Sequence, residues 1–444
     1  MNGTVEGGMP FQSIGGECMD INKEQVLAEI SKYYLESGDF NGIPIIVLEK
    51  TLDVEWAVLK DILKDLISDD KVGAIYSDTD INTHIIRLGI EPKEIQIAKL
   101  ERVDVHTCLY PRPSHLEKIV DRSIFNNKPY ILELALGAPQ LSYRSFDLSI
   151  LEYYRNDPRY YYSNDDINGH ISIRDAAGVE QMSESEQILL QTFGFCYDEN
   201  LNRAVAVFLR YLADLSPEHQ QIWRTKELKS SYSLHPDYYR NTILGDWGQR
   251  IPIFHAFVLE IWIINQMAVA MEHPPLFRND YGEYGEKKPR KFGFIVRPTL
   301  EEFNNFVLLL DKMISDNINK DFFKNEVAYE TEITRDDGKI IIQNKGTLQI
   351  FDEWLKKSFR TSDWQDWDDA IKAFKKVRKL RQEPAHAVNE DQFDQKYFKE
   401  QRELIVQAYN GIRTIRLMFA NHPLVKSAKI EIPSVLFEGK IWDI

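Results

Sequence analysis

A chain of 444 residues with 54 Lys and Arg against 69 Asp and Glu carries a formal charge of -15 at pH 7. At 43% hydrophobic and 12% aromatic it has the composition of a globular protein, long enough for two to four domains with real cores. Its three cysteines, Cys18, Cys108 and Cys196, include no C-x-x-C, which argues against a disulfide framework or a zinc site and fits a reducing, cytoplasmic setting.

Residues 1–20 hold Gly and acid without a cationic start or an apolar run, so a flexible tail is expected there and not a signal peptide. Residues 21–100 have a winged-helix pattern. Val26, Ile30, Tyr33 and Tyr34 mark a first helix, a short helix begins at Pro44, and Asp53 caps a third running to Ile67. Val72–Tyr76 and Thr83–Leu88 are the expected strands, with Ser77–Asp80 as the wing. The third helix shows Glu55, Asp61 and Asp65 beside Lys60 and Lys64, and this region holds 9 Lys and Arg against 15 Asp and Glu. Such a surface repels phosphate, so a protein partner is expected rather than DNA.

Residues 101–180 form an expected mixed α/β region, with strands at Tyr130–Leu136 and His170–Arg174. Tyr153, Tyr154, Tyr160, Tyr161 and Tyr162 near Arg155 and Arg159 could stack nucleobases, but an aromatic core edge is the commoner use of such a cluster. Residues 181–278 read as all-helical, with Leu189, Leu190, Phe193, Val205, Phe208, Leu209 and Leu212 inward. The apolar run Ile251–Ala270 contains His255, Glu260, Asn265 and Gln266, which points to a buried helix rather than a membrane span. Residues 279–292 are the expected linker. No Walker A loop, GxGxxG, GxSxG or HExxH occurs, so nucleotide hydrolysis, dinucleotide binding and α/β-hydrolase chemistry are disfavoured, and neither cofactor nor metal is expected.

Residues 293–425 read as a helical domain with helices at Thr299–Met313, Gly346–Phe359, Asp366–Arg381 and Gln392–Ala420, and an inserted β-ribbon at about 327–344. Residues 426–444 are an expected C-terminal tail. Trp364, Trp367, Ile371, Phe374 and Val377 recur at helical steps, and a further step of four reaches Arg381 at the edge of that stripe. Pro384 suits the first turn of a new helix, so Arg381 and His386 flank one break. From Lys372 to Arg381 there are six cations and no acid, and residues 351–420 hold 14 Lys and Arg against 12 Asp and Glu. Lys375, Lys376, Arg378, Lys379 and Gln382 are therefore the expected RNA-contacting residues, against the alternative of a solvated face paired with Asp366, Asp368 and Asp369. Arg-to-His steps of similar length recur at Arg250/His255 and Arg416/His422, so spacing alone does not select a pair.

RNA carries its own nucleophile, the 2′-OH, and cleavage needs a base, an acid and a cation for the phosphorane. His titrates near neutrality and Arg holds phosphate oxygens in a fork, so His386 with Arg381 would suffice without a metal. The structural alternative pairs Arg381 with Glu383 or Asp394 and bonds His386 to a carbonyl.

Arg-Gln-Glu-Pro-Ala-His, residues 381–386, an Arg-x4-His before the last long helix, resembles the HEPN superfamily over about residues 296–425. The resemblance implies a ribonuclease of the kind found in toxin–antitoxin, phage-defence and CRISPR systems, with Arg381 and His386 as the catalytic pair. It also implies a homodimer in which two motifs meet. Gln382 supplies the polar residue that usually follows the Arg, although Asn or Asp is more typical. The expected architecture is mainly α and multidomain: an N-terminal winged helix, a mixed middle region and a C-terminal HEPN-like bundle. The expected function is a cytoplasmic, metal-independent endoribonuclease, a toxin or antiviral defence effector. Its expected partners are RNA, a second copy and a regulatory protein or antitoxin, with no membrane. The alternative is a non-catalytic dimeric assembly or regulatory protein.

Overall fold

Asn22 opens the first helix by accepting the backbone N–H groups of Glu24 and Gln25, while the Gln25 side chain accepts the N–H of Asn22. This reciprocal cap satisfies donors that the first turn leaves without partners. The computed structural model describes residues 21–87, 89–102, 106–164, 167–174, 180, 182–246, 250–283, 285–334, 338, 340–382 and 390–442. The chain divides into two compact units, Met1–Ser142 and Tyr143–Ile444.

The first unit contains α1 (Lys23–Glu36), β1 (Ile43–Pro44), α2 (Ile45–Leu52), α3 (Trp56–Ser68), β2 (Val72–Ile75), α4 (Lys93–Lys99), β3 (Cys108–Pro111), α5 (Pro113–Ile119) and α6 (Pro129–Ala135). Its antiparallel sheet runs β1-β3-β2 over a core that includes Val26, Ile30, Leu59, Leu63 and Leu109. The strand expected at Thr83–Leu88 is absent among the described residues, and β3 pairs with β2 in its place. Side-chain bonds explain the difference. The Thr83 hydroxyl donates to His106 O at 2.5 Å, Tyr110 donates to Thr83 O at 2.7 Å, and Arg87 pairs with Asp80 at 3.0 Å, closing the segment as a turn. The strand expected at Tyr130–Leu136 is instead α6, whose first turn starts on Pro129, where a missing N–H costs nothing.

The second unit begins with β4 (Tyr143–Phe146), α7 (Ile150–Arg155), β5 (Tyr160–Asn164), β6 (Asn168–Ile173), β7 (Leu189–Tyr197), β8 (Arg203–Phe208), α8 (Leu209–Ala213), α9 (Pro217–Arg224) and β9 (Ser233–Leu234). The strands form an antiparallel sheet in the order β4-β8-β7-β6-β5, with β9 beside β7. This overturns the mainly α expectation: 49% of the described residues are helix and 15% strand, a mixed α/β architecture with several antiparallel sheets. The difference lies at 189–208, which holds β7 and β8 in place of helix. Leu189 and Gln191 are exposed while Leu190 is buried, a period of two, and Val205 and Val207 favour a pleated surface. Asn202 bonds Asp198 through its backbone N–H and its amide, both at 2.8 Å, and so turns β7 into β8.

Helices dominate the remainder: after β10 (Ile251–Pro252) come α10 (Ile253–Ala270) and α11 (Leu300–Met313), then the hairpin β11 (Glu330–Thr334) and β12 (Ile340–Asn344), then α12 (Thr347–Ser358), α13 (Gln365–Gln382), α14 (Lys396–Ala420), α15 (Pro423–Ala428) and β13 (Ile441–Trp442). One core runs through these helices and includes Trp354, Trp367, Phe374, Ile412 and Phe419. Among the described helices α10 alone is long and apolar enough to cross a membrane, and 72% of it is buried inside the fold. The expected linker is packed: Asn279 donates to Asn317 at 2.8 Å and Phe292 stands edge-on to Phe254. The expected tail ends in β13, which pairs in parallel with β10.

Candidate functional site

The amphipathic stripe of α13 folds as its spacing requires, with Trp367, Ala370, Ile371, Phe374 and Val377 buried. Gly411 lets α14 approach closely, since a Cβ there would lie 2.7 Å from the Phe374 ring. With that face fixed, the cations of α13 separate around the helix. Lys375, Lys379 and Gln382 share one exposed face. Lys376 turns toward α14, where its Nζ donates to Gln407 at 3.1 Å. Together with Lys372 and Arg413 it lines a groove of about 660 Å³, floored by Ala370, Ala373 and Gly411.

Arg378 and Arg381, one turn apart, face the C-terminal end of α11. Arg381 Nη1 donates to Asp311 Oδ2 at 2.5 Å and to Asp316 Oδ2 at 2.6 Å. Arg378 Nη1 lies 3.3 Å from Asp316 and 3.9 Å from Asp311. Asp311 is fully buried, whereas the Arg381 side chain keeps 31% of its surface. Its bonds to Asp311 first and Asp316 second raise the Arg381 pKa above the ordinary guanidinium value, so its positive charge is permanent. The described bonds use Nη1 alone. Among the described residues nothing engages Nε or Nη2.

The alternative to a catalytic role pairs Arg381 with Glu383 or Asp394. Glu383 lies outside the described residues, and Asp394 instead caps Lys396 N at 2.9 Å. His386 also lies outside the described residues, as does all of 383–389. The flanks of that segment are anchored at opposite ends of α11. Arg381 bonds Asp311, while Glu301 N donates to Asp391 at 2.8 Å and Leu300 N to Gln392 O at 2.8 Å. Ten helical residues separate the two anchors, a rise of about 15 Å. Residues 392–394 are held against the start of α11, with Asp394 N donating to Pro298 O at 2.9 Å, which is why α14 starts at Lys396 and not at Gln392.

The other two Arg-to-His spacings are used differently. Arg416 is buried against Glu260 of α10, and burial raises the Glu260 pKa against the opposing pull of Arg416. Arg250 stacks over Trp442, 4.6 Å from the ring centre. Sequence reasoning missed Asp311 and Asp316. A signal for Asp311 was present: it stands four residues after Val307 and eight after Phe303, on a stripe that is otherwise apolar. An acid in such a position requires a cationic partner. No family model, no curated protein and no solved structure matches the chain.

Proposed function

We propose that this protein is a HEPN-type endoribonuclease that cleaves RNA through Arg381 and His386 without a metal cofactor. The observation that carries the reading is the state of Arg381. One Nη is tied to a buried carboxylate, which fixes the guanidinium, and the half-exposed remainder retains donors for a phosphate. Arg378 stands one turn away, and Lys375, Lys379 and Gln382 extend a polar face from the same helix end.

In the reaction His386 takes the 2′-OH proton, the 2′-oxygen bonds to phosphorus, and the bond from phosphorus to the 5′-oxygen breaks as that oxygen is protonated. Products are a 2′,3′-cyclic phosphate and a 5′-hydroxyl. Arg381 binds the non-bridging oxygens, whose charge grows at the phosphorane. Asp311 and Asp316 offset the charge of Arg378 and Arg381, so strand affinity rests mainly on the lysines of α13. A homodimer would supply one His386 as base and another as acid. By the same resemblance the setting is cytoplasmic, the role that of a toxin or defence effector, and the N-terminal unit the place for a regulatory protein or antitoxin.

The double tether of Arg381 also favours a second reading, in which these charges only join α11 to α13 in a non-catalytic assembly protein. Labelled single-stranded RNA in EDTA separates the two. The enzyme reading expects cleavage by wild type, none by His386→Ala, and strong loss in Arg381→Lys, which keeps the charge but not the fork. Equal cleavage by all three would exclude it.

A further inference from the structure

A second cluster of guanidinium groups lies in a cleft of about 640 Å³ bounded by α7, residues 289–297 and the first turns of α11. Most of its charges are matched. Arg155 pairs with Glu302, Arg297 with Glu152 at 2.8 Å, and Asp391 accepts the N–H of Glu301. Thr299 and Asp391 already cap α11, so the helix end adds no free donor there.

Among the described residues Lys291 and Arg290 have no carboxylate at ion-pair distance, and of the two Arg290 is the partly buried one. Its Nη2 donates to Tyr154 O at 2.9 Å and its guanidinium lies 5.8 Å from the centre of the Tyr162 ring. Its Nε is buried and meets no acceptor among the described residues, and no described carboxylate comes within ion-pair distance. The Nε of Arg155, in the same cleft, is also buried without an acceptor. Burial, followed by the charges of Arg174 and Arg155, lowers the Arg290 pKa below the ordinary guanidinium value; Tyr162 and Asp157 only partly oppose this. A cation that stays charged under such strain is relieved by an anion with oxygens in a plane or tetrahedron matching its fork. The exposed Lys291 adds a point charge at the mouth. The cleft is larger than an oxyanion alone requires, and Phe294, Ile295, Phe306 and Leu309 give it an apolar wall.

We propose that this cleft binds a phosphate monoester carrying a flat aromatic body, a nucleoside monophosphate being one such ligand, with its phosphate on Arg290 and Arg155. The site contains no residue of the Arg381 cluster, so it stands or falls apart from the ribonuclease reading.

Calorimetric titration of the full chain with AMP, adenosine and inorganic phosphate tests it. Saturable AMP binding is expected, with adenosine about tenfold or more weaker and phosphate intermediate. Arg290→Gln is expected to weaken AMP by about tenfold or more. Because Arg290 also braces Tyr154, the exposed charge reversal Lys291→Glu is the companion variant, which leaves the core intact and is expected to weaken AMP severalfold. Equal affinity for AMP and adenosine, absence of AMP binding, or unchanged AMP affinity in Lys291→Glu would overturn the assignment.

Discussion

Removing the Arg381 side chain leaves the Asp311 carboxylate buried, with Arg378 at 3.9 Å as the nearest described cation. Breaking a fully buried pair costs about 3–5 kcal/mol, and Arg381 retains 31% exposure, so Arg381→Met should cost about 2–3 kcal/mol. Asp311→Leu releases Arg381 to Asp316 and water and puts an apolar group on an apolar stripe, so about 1–2 kcal/mol is expected. The double variant should cost less than the sum by about 1–2 kcal/mol, because each single change leaves a charge that the other removes. Urea unfolding followed by tryptophan fluorescence measures this, with Trp354 and Trp367 in the same core. If the single costs add to within about 0.5 kcal/mol, the tether does not couple α11 to α13 and the account of how Arg381 is positioned fails.

Gly411→Ala should destabilise by about 1–2 kcal/mol in the same assay, since overpacking against the Phe374 ring outweighs a helix-propensity gain of about 1 kcal/mol; a more stable variant would contradict the packing. Burial, with Arg203 and Arg250 adding to it and Asp237 opposing, pushes the His235 pKa down to about 4. The unfolded imidazole takes a proton first, so this stability is complete above about pH 6.5 and falls by about 3 kcal/mol as pH drops toward 4; His235→Gln should flatten that part of the profile. Replacing Lys375 and Lys379 by Ala should reduce the salt dependence of single-stranded RNA binding by about 0.7 in log–log slope per lysine, and an unchanged slope would remove that face from the RNA path.

Helices with one buried face were legible. Thr299–Met313 and Asp366–Arg381 were expected from residues three and four apart, and α11 and α13 lie there within a residue at either end. The β7–β8 hairpin was not, because a short apolar run fits both a buried helix face and a strand until its partners are known. The same holds for Thr83–Leu88, where hydroxyl and ion-pair contacts decide against a ladder. At the site, the place of Arg381 on its helix followed from periodicity. Its partners did not, since Asp311 and Asp316 lie 70 and 65 residues upstream and only the α11–α13 packing brings them close. Glu383 and Asp394 lie only 2 and 13 residues from Arg381, so a local pairing was the alternative that the sequence offered. The basic run from Lys372 to Arg381 looked like one patch, yet a helix spreads those residues over a groove, an open face and an ion cluster.

The central claim is tested most directly by the ends of the RNA that the protein produces. The purified 444-residue protein incubated with labelled single-stranded RNA in EDTA should yield fragments ending in 2′,3′-cyclic phosphate, and His386→Ala of unchanged stability should yield none. Intact RNA with the wild-type protein, or the same fragments from His386→Ala, would contradict the ribonuclease account.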